Sequence, residues 1–196
     1  MKNENIGEAI KNAFQFLGLV FADTSKLLTV VEEYMNKEKF VSFYGSTSVW
    51  NRSSAYYGSY GWLPHYLSRI YVPKEGLGQR PSSKGKVLAY VNIYFLPENV
   101  PQPVILYGAA SLRSEDFDSC WSSWNSLILS PSGPNFVNSI CQESWATYQC
   151  DAESQITSVH YKVVPLVQFE DQVKVEAICS ELVAKFIEIK AQMGNP

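Results

Sequence analysis

Apolar residues recur every three or four positions near the start of the chain, which is the spacing of one helix face. The first run consists of Ile6, Ile10, Ala13, Leu17 and Phe21. It predicts an amphipathic helix over residues 5–22. Asp23, Thr24 and Ser25 are residue types that cap helices, and a second apolar run follows them to about Asn36. We therefore expect a helical pair within residues 1–37, folded as a hairpin or joined at a kink.

The end of the chain predicts one long helix over residues 171–193. One apolar stripe contains Val175, Ile178, Leu182, Phe186, Ile189 and Met193. A second stripe contains Val173, Ala177, Ala184, Ile187 and Ala191. We expect the first stripe to pack on a sheet. The second then needs cover, either from the N-terminal helices or from a partner subunit.

Residues 40–169 read as strands and loops. Strands are predicted at residues 40–44, 68–72, 87–96, 103–109, 121–130 and 156–168, with Pro165 marking a bulge or an edge. The run at 87–96 is apolar on both faces, which predicts a central strand that is covered on two sides. Because no regular alternation of strand and helix is present, the sequence predicts an α+β fold with a mainly antiparallel sheet. The long C-terminal helix packs on that sheet, and residues 1–196 form a single domain.

Charge and aromatic residues are concentrated in one segment of an otherwise mildly acidic chain. The formal net charge is −3, whereas residues 41–86 carry six basic side chains and one acidic one. Tyrosine, tryptophan and arginine among serine and glycine are typical of recognition surfaces. We therefore interpret residues 43–86 as the binding surface of a non-enzymatic recognition or interaction protein. Its candidate ligand-binding residues are Tyr44, Trp50, Arg52, Tyr56, Tyr57, Tyr60, Trp62 and Arg69.

These residue types favour a flat, negatively charged ligand. Tyrosine and tryptophan rings stack on planar groups, and Arg52 and Arg69 supply positive charge, so an anionic or nucleotide-like ligand or a protein partner is expected. The glycine-containing stretch at residues 76–86 lacks the glycine–lysine–hydroxyl ending of a phosphate loop and precedes a strand.

Two alternative functions fit the sequence. One is a cysteine-dependent hydrolase or transferase, in which Cys120 is the nucleophile and His160 the base, with Gln168 or Glu170 orienting the histidine. The other is a structural subunit of a homo-oligomer, whose aromatic surface and second helical stripe are subunit contacts.

Other classes are disfavoured by composition. A generally basic nucleic-acid binder does not fit the negative net charge. The four cysteines form no closely spaced pair and there are only two histidines, so we expect neither a metal nor another cofactor. The longest uninterrupted apolar run has seven residues, and the segment before it is not net positive. We therefore expect no signal peptide, no membrane association and a cytoplasmic location.

Overall fold

The computed structural model describes residues 3–43, 66–74, 86–95, 101–114, 121–128, 144–169 and 171–194. A long helix α1 (Asn3–Lys37) leads into β1 (Phe40–Ser42), β2 (Tyr66–Pro73), β3 (Val87–Tyr94) and β4 (Val104–Leu112). Helix α2 (Trp121–Leu127), β5 (Ala146–Gln149) and β6 (Ile156–Pro165) follow. A short 3₁₀ turn (Leu166–Gln168) connects β6 to α3 (Gln172–Gly194).

The strands form one six-stranded sheet in which every neighbouring pair is antiparallel. Their order is β1-β2-β3-β4-β6-β5. Every residue of β3 and β4 is buried, as expected for central strands that are covered on both faces. The prediction of an α+β fold with a mainly antiparallel sheet and a C-terminal helix is therefore confirmed.

Helices α1 and α3 cover one face of the sheet. The second half of α1 buries Leu28, Val31 and Met35 there, and α3 buries Leu182 and Phe186. Two edge-to-face ring pairs connect the helices to the sheet. The ring centroid of Phe186 on α3 lies 4.9 Å from that of Phe40 on β1, and that of Phe21 on α1 lies 5.3 Å from that of Phe95, directly after β3. We call this face the helix side.

The opposite face of the sheet packs against α2. The Trp124 ring lies 5.0 Å from that of Tyr90, and the Tyr94 hydroxyl donates a hydrogen bond to the Ile128 carbonyl. Trp124 and Ile128 are four residues apart and both are buried, so one turn of helix presents them to the same strand. This spacing explains why residues 121–127 form a helix and not the predicted strand.

The expected helical pair is one continuous helix. Thr24 does not cap a second helix, because its hydroxyl donates to the carbonyl oxygen of Val20 at 2.8 Å, one turn earlier in the same helix. Lys26 pairs with Asp23 on the exposed side at 2.9 Å. Asp23 and Thr24, which were expected to cap a second helix, thus form their side-chain contacts inside a single helix. The predicted hairpin or kink is therefore wrong.

Helix α3 buries its first predicted stripe and exposes its second. Val175, Leu182, Phe186 and Ile189 are buried, and Met193 at the end of the stripe is exposed. All five residues of the second stripe are exposed, with Val173 at 75%. The expected cover by the N-terminal helix is therefore absent. Cover by a partner subunit stays a prediction.

Candidate functional site

Of the eight predicted ligand-binding residues, Arg69 lies in the part of the chain that the structure describes. The other seven lie outside it: Tyr44, Trp50, Arg52, Tyr56, Tyr57, Tyr60 and Trp62. The candidate site is therefore built around Arg69.

Arg69 belongs to β2 and points to the helix side of the sheet. Its register partner is Val91 on β3, and the residues two positions away, Leu67 and Tyr71, both pack into the helix-side core. The β1 ladder ends with Ser42 opposite Tyr71, so Arg69 lies just beyond the end of β1. This position places a guanidinium group at the margin of an apolar core.

Two of the three guanidinium nitrogens of Arg69 are buried without a partner among the described residues. Its Nε and Nη1 atoms are buried and have no hydrogen-bond partner in the described part of the chain. The ion pairs found there involve four lysines, with no carboxylate within 4.0 Å of Arg69. Burying N–H donors of a cation without an acceptor is costly, because those donors lose their hydrogen bonds to water.

The charge of Arg69 affects the pKa of the neighbouring Tyr71 hydroxyl. Tyr71 donates a hydrogen bond of 3.2 Å to Glu32 Oε2 on α1. Burial raises the pKa of Tyr71 well above its usual value; the Glu32 carboxylate adds to the rise, and the Arg69 guanidinium opposes it. Arg69 and Glu32 thus act on the Tyr71 hydroxyl in opposite directions.

A second set of unpaired donors lies on the α2 side of the same strands. Ser68 donates to Asn92 Oδ1 at 2.5 Å across the β2–β3 pair, which leaves Asn92 Nδ2 buried and unpartnered among the described residues. The indole nitrogen of Trp124 is in the same state. The unpaired buried side-chain atoms of the described ranges are therefore all N–H donors.

Sequence reasoning missed Asn92 and Trp124 as polar features. A signal was present for Asn92, since it is the one strongly polar residue inside the apolar run at 87–96. Trp124 gave no such signal, because the state of an indole N–H depends on tertiary packing.

His160 faces hydroxyl groups in the described structure. Its Nδ1 lies 3.0 Å from Thr147 Oγ1, and its Nε2 lies 3.2 Å from Ser158 Oγ. Burial lowers the pKa of His160, Lys185 lowers it further, and Glu188 opposes the effect. Gln168 is exposed in the turn after β6. The five steps of strand from His160 to Pro165 alone span about 16 Å, so the side chains of His160 and Gln168 are not brought together.

The structure does not describe the predicted nucleophile of the cysteine-dependent hydrolase or transferase. Cys120 and Glu170 lie outside them. Among the described thiols, burial raises the pKa of Cys150 to about 11 and that of Cys179 to about 12, so both are protonated at neutral pH. A cysteine-dependent activity through Cys120 and His160 stays a prediction.

Near His160, the positive charges of Lys162 and Lys185 are paired with neighbouring side chains. Lys162 donates to Glu181 at 2.6 Å, and Tyr107 donates to the same carboxylate oxygen at 3.0 Å. The Trp145 ring centroid lies 5.5 Å from Lys162 Nζ and 5.3 Å from Lys185 Nζ. Both lysines of this cluster have partners, whereas Nε and Nη1 of Arg69 have none among the described residues.

The first half of α1 is a second unusual surface. Five large apolar side chains there, Ile6, Ile10, Phe14, Phe16 and Leu19, are between 54% and 69% exposed. We call residues 6–19 the α1 arm. By length and composition alone, the helix from Ile6 to Lys37 could cross a membrane: an 18-residue window has a mean hydropathy of 1.4, and 22% of that window is buried.

Comparison with known proteins gives no relative. The chain matches no protein-family model, no curated protein sequence and no solved structure.

Proposed function

We propose that the protein is a non-enzymatic recognition protein that binds an anionic ligand, with Arg69 as the charged anchor. The observation that carries this proposal is the pair of buried guanidinium atoms, Nε and Nη1, that have no acceptor among the described residues. An anionic oxygen placed against them would replace the hydration that Arg69 has lost.

The chemistry of the guanidinium group favours an anion over a neutral acceptor. Its donors form a rigid fork that matches the two oxygens of a carboxylate or a phosphate. Hydrogen bonds to ionised groups are roughly twice as strong as those between neutral groups. The partial charge of a carbonyl oxygen would satisfy the donors without neutralising the cation.

The ends of the aromatic segment also support Arg69 as the anchor. The backbone N–H of Phe43 donates to the Ile70 carbonyl at 2.8 Å, directly beside Arg69. The chain enters β2 at Tyr66, three residues before Arg69. Phe43 and Tyr66, which flank the seven aromatic and basic candidates in the sequence, thus contact or belong to the strand that carries Arg69. Stacking of the candidates' aromatic rings on a flat ligand is the remaining part of the proposal.

Calorimetric titration of the whole chain with ATP and with inorganic pyrophosphate tests the proposal. We expect the wild-type protein to bind at least one of them. Arg69→Met keeps the apolar stem and removes the charge, so we expect at least about a tenfold loss of affinity. Arg113→Met is the matched control, because Arg113 is exposed and its Nε donates to the Ser154 carbonyl.

The outcomes separate binding from folding. Circular dichroism and the urea midpoint establish that Arg69→Met is folded. Equal affinity of the folded Arg69→Met variant and the wild type contradicts the proposal, as does a wild-type protein that binds neither anion. Tight ATP binding with no pyrophosphate binding assigns the recognition to stacking as well as charge.

A further inference from the structure

Helix α1 runs beside β2 in the same direction, and this brings Glu32 to the strand position next to Arg69. Directly after β2, Lys74 Nζ donates to the Asn36 carbonyl of α1 at 3.4 Å. Tyr71, three residues earlier in the strand, donates to Glu32 Oε2, which is one turn earlier in the helix. Arg69 precedes Tyr71 on the same face of β2, about 7 Å further along the strand. The Glu32 carboxylate is thus held beside Arg69 on the helix side.

Glu32 and Arg69 act on the same hydroxyl group, but they do not form an ion pair. The Glu32 carboxylate raises the pKa of Tyr71 and the Arg69 guanidinium lowers it. The ion pairs of the described ranges nevertheless include none between Arg69 and a carboxylate within 4.0 Å. One oxygen of Glu32 is engaged by Tyr71 instead. An anion bound at Nε and Nη1 of Arg69 would therefore be attracted by Arg69 and repelled by Glu32.

We propose that Glu32 is a specificity-determining residue of the anion site, which it fits to a ligand with a single phosphate or carboxylate group by opposing every further negative charge. This inference rests on the proposed binding of an anion at Arg69. The first anionic group gains hydrogen bonds to the guanidinium fork. A further charge does not reach the fork and meets both side chains at longer range, where their opposite charges largely cancel. A polyphosphate therefore gains little over a single phosphate.

The neighbouring charges of α1 provide a matched control for this role. Asp23 forms an ion pair with Lys26 at 2.9 Å, and both side chains are exposed. Glu33 follows Glu32 directly in the helix but is exposed to solvent, where its charge is screened. Glu32→Gln removes the charge and keeps the contact with Tyr71, because a carboxamide oxygen also accepts a hydrogen bond. Glu33→Gln removes the same charge one residue away.

Calorimetric titration of the full chain with AMP, ADP and ATP, at low ionic strength and without divalent cations, tests the inference. The three nucleotides share their base and ribose and differ in the number of phosphates, so ring stacking is held constant. We expect the wild-type protein to bind all three with affinities within about threefold of one another. In Glu32→Gln we expect a gain that grows from AMP to ATP and reaches at least about fivefold for ATP. Glu33→Gln should resemble the wild type.

The outcomes separate this inference from the proposed function. Circular dichroism and the urea midpoint establish that both variants are folded. A gain that is the same for the three nucleotides, as a purely structural role would give, overturns the role of Glu32 and leaves anion binding standing. A gain of the same size in Glu33→Gln does likewise. If neither the wild type nor Glu32→Gln binds any of the three nucleotides, the proposed function is overturned and this inference with it.

Discussion

Gly108 on β4 lies directly against the backbone of β6. It is opposite Tyr161 in the strand register, and a Cβ atom at this position would overlap the carbonyl oxygen of His160 and lie 2.9 Å from its carbonyl carbon. Both atoms belong to the backbone of a central strand pair, so they cannot move aside as a flexible side chain would. Glycine is required at position 108 because the backbone of β6 leaves no room for a Cβ atom.

Gly108→Ala should lower the free energy of unfolding by about 2–4 kcal/mol, because the strands must separate to admit a methyl group. Urea denaturation measures this loss. Gly18→Ala is the control: Gly18 lies in α1, and no described atom beyond its own stretch of helix comes within 4 Å of where a methyl group would lie. That change should be neutral or stabilising by up to about 1 kcal/mol. Equal effects of the two substitutions would contradict the close approach.

At the level of single residues, the sequence predicted chemistry only where that chemistry does not depend on packing. The positive charge of Arg69 could be read from the sequence, but which acceptors surround its Nε and Nη1 among the described residues depends on tertiary packing. His160 was predicted as a base for Cys120, whereas its neighbour Thr147 is brought to it by the β5–β6 pairing. Such neighbours are set by strand register, which a single sequence does not specify.

The helices and strands themselves followed largely from periodicity. The alternation and apolar runs of β3, β4 and β6 and the stripe of α3 placed these elements close to their observed bounds. The errors lay at Thr24 and Trp124, and strand β5 (Ala146–Gln149) was not predicted. A threonine that can cap a helix can equally bond to the carbonyl four residues earlier, and a short apolar run suits a strand or a single helical turn. Tertiary contacts decide both cases.

Two valines on the two long helices provide a matched test of which helix faces carry the fold. Val31 on α1 is 2% exposed and Val173 on α3 is 75% exposed. Val31→Ala should cost about 2 kcal/mol of unfolding free energy, since it leaves a cavity in the helix-side core. Val173→Ala should change it by less than about 0.5 kcal/mol.

Urea unfolding of both valine variants gives the comparison. A loss at Val173 as large as that at Val31 would mean that the second stripe of α3 is buried in solution and would assign a cover to that stripe.

For the whole molecule, the buried hydroxyl and thiol groups make stability sensitive to alkaline pH. Burial raises the pKa of Tyr90 and Tyr94 well above the usual value, and it raises the pKa of Cys150 to about 11 and of Cys179 to about 12. The unfolded chain releases these protons at lower pH than the folded chain does. The stabilisation is thus fully present below about pH 9 and is lost as the pH rises toward the folded values.

We therefore expect the free energy of unfolding to be level near pH 7.5 and to fall above about pH 9. Urea midpoints at a series of pH values measure the decline. In Cys179→Ala one of the titrating thiols is absent, so the decline should be shallower than in the wild type. Stability that stays level up to about pH 11 would contradict the burial of these groups.

The pairing of α1 with α3 also has a consequence for synthesis. Strands β2, β3 and β4 are consecutive in the chain and adjacent in the sheet, so they can assemble as soon as they leave the ribosome. Their helix side is completed only by α3, more than 50 residues after β4 ends. Until then the nascent sheet lacks the partner of Tyr107, whose hydroxyl donates to Glu181 of α3, and leaves apolar surface exposed of the kind that chaperones bind.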